Sequence, residues 1–228
     1  MTTRVFSISE ALRFGWNTTK SNFGFFVGFL IVFGLLLIVP YIIALRVSEI
    51  NIFLGLILQI ADFALTILVS VGFLKVTLRF CDQEKGRLSD LFSQYRLFFK
   101  YFLAYILYGL IVLGGIILFI IPGIIWAIKF QFFPYLIIDK KLGPIEALKQ
   151  SAAITQGVKW QLWVFSLATG VVNIIGALLL IVGLFVTIPV TMLATAFVYR
   201  KLLARTEIAT VSQTASQVAF QTAPEATA

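Results

Sequence analysis

Asp62, Lys129 and Asn173 are polar residues set near the middle of long apolar runs, where an uncompensated charge in hydrocarbon costs about 2.5–3.5 kcal/mol on insertion scales. Such groups must face protein, ligand or water. Gln59, Asp62, Thr66 and Ser70 fall on one helical stripe, Gln131 follows Lys129, and Asn173 shares a face with Ser166, Gly170 and Ala177. Three uses are open to them. Asp62 and Lys129 could form a structural ion pair with Asn173 as an interhelical hydrogen-bonding partner; the same groups could line a ligand or ion pathway; or Lys129 could snorkel alone beside a protonated Asp62.

Other chemistry is hard to find. The chain has no His, which removes the commonest general acid–base group and metal ligand near neutral pH. No phosphate-cradling Gly-Lys-Ser/Thr loop occurs, and no activated nucleophile and base share a spacing. The expectation is therefore no enzyme activity, no metal and no cofactor. Cys81 is the only cysteine, so no intramolecular disulfide forms.

The elements that hold these residues are membrane helices by composition. With 60% hydrophobic and 12% charged residues and a mean hydropathy of +1.01, the chain has too little polar surface for a soluble globule. Six apolar runs, Phe23 to Leu45, Ile50 to Val76, Tyr101 to Ile121, Gly123 to Ile138, Trp160 to Val182 and Leu184 to Leu203, mostly approach the ~20 residues that a spanning helix needs. They lack the two-residue alternation of barrel strands, so the fold class expected is all-α with six transmembrane helices.

Basic residues set the orientation. Of 18 Lys and Arg, 16 lie in segments that share one side if every run crosses the bilayer. These are Arg4, Arg13 and Lys20; Lys75, Arg79, Lys85, Arg87, Arg96 and Lys100; Lys140, Lys141, Lys149 and Lys159; and Arg200, Lys201 and Arg205. That side is read as cytoplasmic, with both termini on it. The net charge of +8 then points to anionic lipid rather than nucleic acid. Arg46 is expected in a short outer loop.

Three segments on the basic side read as interfacial amphipathic helices, at about 8–20, 89–100 and 144–156. Ser7 and Glu10 have capping-box spacing before the first, and Trp16, Phe99 and Leu148 are expected to face the membrane. Each segment precedes a span, a Val-Pro or Ile-Pro step at Pro40, Pro122 or Pro189, and a second span. The order suggests three repeats of interfacial helix plus transmembrane hairpin. After Arg205 the Thr-, Ala- and Gln-rich segment 205–228 is expected to be a disordered cytoplasmic tail beside a membrane domain of residues 1–204.

Pro122, Gly123, Pro134, Asp139, Glu146, Ala147, Ser151, Gly157 and Trp160 form a pattern that resembles a signature of the YciC-type bacterial inner-membrane protein superfamily. That superfamily is related to the membrane domain attached to some glycerophosphodiester phosphodiesterases. The resemblance covers residues 118 to 203 well and the first half only by span pattern. It implies a multi-span helical domain of a largely uncharacterised family, in a bacterial cytoplasmic (inner) membrane, with no catalytic residues to carry over. The expected function is a non-enzymatic membrane protein that engages lipid or a protein partner through its interfacial helices, in membrane or envelope homeostasis. A small transporter or channel using the mid-depth polar residues is the alternative.

Overall fold

A computed structural model describes residues 5–91, 93–179 and 183–222, with side chains described to residue 208. Among these residues the elements are helical, with no strand, and six stretches are long and apolar enough to cross a membrane.

Helix α1 (Ile8–Ser21) lies along the last helix, α9 (Leu184–Thr222), and buries Ala11, Gly15 and Thr19, a four-residue repeat on one face. A Cβ on Gly15 would run into the Val190 carbonyl, so only glycine allows this approach. The expected capping box is not formed. Ser7 makes no cap bond, and Glu10 reaches instead to Lys201 on α9 at 3.2 Å.

Helices α2 (Phe23–Ile50) and α3 (Ile52–Cys81) form a hairpin around a single residue, Asn51. Its side-chain oxygen accepts from the N–H groups of Phe53 at 3.0 Å and Leu54 at 3.1 Å, which satisfies two orphan donors of the new helix. Arg46 is therefore on α2, 3.5 Å from Glu49, rather than in a loop. Pro40 lies inside α2 and Pro189 inside α9, so of the three proline steps only Pro122 adjoins a hairpin turn. Phe26, Phe29 and Phe33 pack against Phe73 and Phe80 to join the pair.

No continuous helix covers 89–100. Two 3₁₀ turns, Leu88–Leu91 and Tyr95–Leu97, lead into α4 (Phe98–Leu118). The reason is local: the Asp90 carboxylate accepts from the Arg87 N–H at 3.0 Å and from Arg79 at 2.7 Å, bonds that favour a turn over a helix. Helix α5 (Ile120–Phe130) folds back on α4 where Gly115 meets Gly123, and a Cβ on Gly115 would sit 2.8 Å from the Gly123 Cα.

The fourth apolar run is two helices. After α5 the chain breaks at Gln131 and Phe132, and α6 (Phe133–Lys140) follows with Pro134 in its first turn. Helix α7 (Pro144–Ile154) then packs against α4, α5, α6 and α9. It buries Ala147, Leu148, Ser151 and Ile154, so Leu148 points into the protein and not toward lipid. Helix α8 (Lys159–Leu178) pairs with α9.

Helix α9 continues to Thr222, so residues 205–222 are helical where composition predicts disorder. That stretch holds no Gly or Pro, and its Ala and Gln residues favour propagation from the helix before it. The remaining tail residues, 223–228, lie outside the described part. At the centre, Phe132, Leu136, Ile137, Leu162, Tyr199 and Leu202 are wholly enclosed. Ile57, Leu110 and Ile174, each more than 60% exposed, present the outward apolar surface that a bilayer covers.

Candidate functional site

No hydrogen bond or ion pair joins the mid-run polar residues to one another. Asp62 is half-buried on α3, and its Oδ1 is enclosed with no hydrogen-bond partner. Gln59, one turn earlier, is exposed. Lys129 sits in the last turn of α5 with its ammonium 5.1 Å from the Phe130 ring, and Gln131 donates to the Ile128 carbonyl at 3.1 Å. Asn173 joins α8 to α9 through Thr191 at 3.2 Å. The expected Asp62–Lys129 ion pair is not formed, and each of the three residues has surroundings of its own.

The helix break explains why. A straight fourth span would hold Lys129 at its centre, but α5 ends one residue later, so Lys129 occupies a helix C-terminus where its charge favours the dipole. Ending the helix frees backbone groups that must find partners inside the protein. Ser151 of α7 supplies them. Its hydroxyl donates to the Lys129 carbonyl at 3.1 Å and accepts the Phe132 N–H at 3.1 Å. Thr155 donates to the same carbonyl at 3.1 Å. The pyrrolidine of Pro134 has no N–H, so the break costs one donor fewer.

The other residues of the sequence pattern also have structural tasks. Asp139 accepts from the Tyr199 hydroxyl at 2.8 Å and from Arg200 at 2.7 Å. Glu146 accepts the Gly143 N–H at 3.2 Å and thereby caps α7. Ala147 on α7 is fully buried, and Gly157 turns the chain with φ of 79°, a left-handed value that suits glycine. Pro122 lies in the first turn of α5 and Gly123 in its contact with α4. Trp160 is 73% exposed and stacks on Trp163 with ring centres 4.9 Å apart.

The charged residues assemble at the helix ends. Arg200 bridges Asp139 on α6 and Asp82 just beyond α3, the latter at 2.6 Å. Arg79 holds Asp90 at 2.7 Å and Glu84 at 2.9 Å, and Lys140 meets Glu207 at 2.8 Å. The Arg200, Lys140–Glu207 and Glu10–Lys201 pairs tie α9 to α1, α6 and the end of α3, whereas those of Arg79 tie α3 to the segment that follows it. Sequence spacing does not reveal the network of Arg79, Asp82, Asp90, Tyr199 and Arg200. In the sequence Arg79 and Arg200 count as orientation signals, and nothing there pairs them with acids 11 and 61 residues away.

Away from this network, α1 turns Arg13, Trp16, Asn17 and Lys20 to the surface, opposite the face buried on α9. Trp16 is 52% exposed. Among the described residues no group of three or more Cys, Asp or Glu is arranged to hold a metal ion. In comparisons with known proteins, the chain matches no family model, no curated protein and no solved structure.

Proposed function

We propose that the chain is a non-enzymatic integral protein of a bacterial cytoplasmic membrane, with both termini cytoplasmic, that engages anionic lipid through the outward face of α1. The observation that carries this reading is the docking of α1 by its small residues, which leaves Arg13, Trp16 and Lys20 exposed together. An indole favours the headgroup layer, and each nearby cation adds about 1 kcal/mol of attraction to an anionic leaflet. Helix α7 packs inward through Ala147, Leu148, Ser151 and Ile154 and exposes Ile145, Glu146, Lys149 and Ala153 with no aromatic anchor, and the 89–100 segment is not a continuous helix, so the reading places the lipid contact on α1.

The reading keeps a role in membrane or envelope homeostasis and kinship with the YciC-type proteins. Supporting that kinship, the residues of the pattern include the buried Ser151, the Asp139 ion-pair acceptor and the left-handed Gly157. The transport alternative draws support from the unpartnered Asp62 oxygen, but the lack of any hydrogen bond or ion pair among Asp62, Lys129 and Asn173 favours the lipid reading. Lipid analysis of detergent-free membrane extracts tests it. Enrichment of anionic lipid around the wild-type chain, reduced when Arg13 and Lys20 become Gln and Trp16 becomes Asp, supports the proposal. Unchanged lipid composition with the correctly inserted variant, and a protein partner lost instead, transfers the role of α1 to protein binding.

A further inference from the structure

The surface between α5 and α8 is concave. Ile121, Ile124, Ile125 and Ile128 form one stripe of α5, spaced three and four residues apart, and face Trp160 and Trp163 across a groove of about 340 Å³. Lys159, the first residue of α8, completes the lining. Its side chain is exposed and has no carboxylate partner among the described residues.

The chemistry selects the occupant. An isoleucine floor offers no hydrogen bond, so a sugar, nucleotide or peptide backbone placed there would lose those it makes with water, at a cost of roughly 1–3 kcal/mol each. An alkyl chain loses nothing. The stacked indoles supply flat, amphipathic walls of the type favoured beside headgroups, and Lys159 supplies an unspent positive charge at the polar end of the helix. We infer that this groove holds an acyl chain of one anionic phospholipid, with the Lys159 ammonium on its phosphate. The site is separate from α1 and does not depend on the role proposed for that helix.

Native mass spectrometry of the full chain, titrated with phosphatidylglycerol or with phosphatidylcholine of the same acyl chains, tests this. The expected result is one retained phosphatidylglycerol per chain, bound about fivefold more tightly than phosphatidylcholine, the preference worth one lysine near a headgroup. Lys159→Gln should abolish the preference, and Ile125→Trp, which fills the groove, should remove both lipids. Trp16→Asp should leave the retained lipid in place, which separates this site from the face of α1. Because Ile125→Trp could disturb folding, a phosphatidylglycerol with a photoreactive acyl chain gives a second reading on the wild-type chain. Crosslinks within residues 121–128 or 160–163 support the site; crosslinks elsewhere overturn it. Equal binding of the two lipids to wild type and Lys159→Gln also overturns it, as does loss of the lipid on Trp16→Asp alone.

Discussion

The Ser151 hydroxyl spans the break in the fourth apolar run, donating to the Lys129 carbonyl and accepting the Phe132 N–H, each at 3.1 Å. One side chain from α7 thus satisfies both ends of an interrupted helix. Thr155 reaches only the carbonyl side of the break, and its single hydroxyl proton is shared with the Ser151 carbonyl of its own helix, 2.9 Å away.

Ser151→Ala should therefore destabilise the protein by about 1–3 kcal/mol, because it strands a buried N–H. Thr155→Val should cost less, since the Lys129 carbonyl keeps its bond from Ser151. Thermal unfolding in nanodiscs compares the two. Equal losses, or a larger loss for Thr155→Val, would contradict the assignment.

Arg200 and Asp139 should show a direct coupling. Both are largely covered and 2.7 Å apart, so removing either leaves a charge without its principal partner. A double-mutant cycle with Arg200→Met and Asp139→Asn should give a coupling of about 1 kcal/mol or more. Asp82→Asn, at the more exposed arm of the bridge, should have the smaller effect. A coupling near zero for Arg200 and Asp139 would remove this pair from the account of how α9 is held.

Asp62 and Lys129 should behave independently. Asp62→Asn and Lys129→Met are expected to add within about 0.5 kcal/mol, as sites without shared partners do. A double mutant markedly more stable than the sum would restore the ion pair that the structure lacks.

These outcomes turn on what sequence spacing can express. The apolar runs were legible because a membrane helix must be apolar over its whole length, and five of the six lie mainly within one helix each, although the run from Tyr101 to Ile121 passes the α4–α5 turn at Phe119. The break at Gln131 was not, because Phe133-Pro134 reads equally well as a kink in one span, and the hydroxyls that mend it come from a helix about 20 residues later. The same nonlocality hid the site. Asp62, Lys129 and Asn173 share a depth only if every span is straight and equally placed; α1, by contrast, was readable as a helix from its amphipathic spacing, but not its docking on α9 through Ala11, Gly15 and Thr19. Asp90 defeated the expected second interfacial helix by a side-chain bond that competes with the backbone.

The proposed topology rests on the basic segments and is open to direct test. With Cys81 replaced by Ser, single cysteines at positions 3, 85, 141 and 220 should react with a membrane-impermeant thiol reagent only in inside-out vesicles. Labelling of any of the four from outside intact cells would refute the six-span arrangement with cytoplasmic termini.

The accessibility of residue 16 tests the proposed role of α1 most directly. A spin label at Trp16→Cys in the Cys81→Ser background, in nanodiscs containing phosphatidylglycerol, should collide more with oxygen than with a water-soluble nickel chelate. A label at Ser7, at the start of α1, supplies the water-exposed reference. The account predicts a lipid-like ratio at position 16 and an aqueous one at position 7. A fully aqueous ratio at position 16, with α1 still docked through Glu10 and Lys201, would contradict the claim that this helix meets the membrane surface.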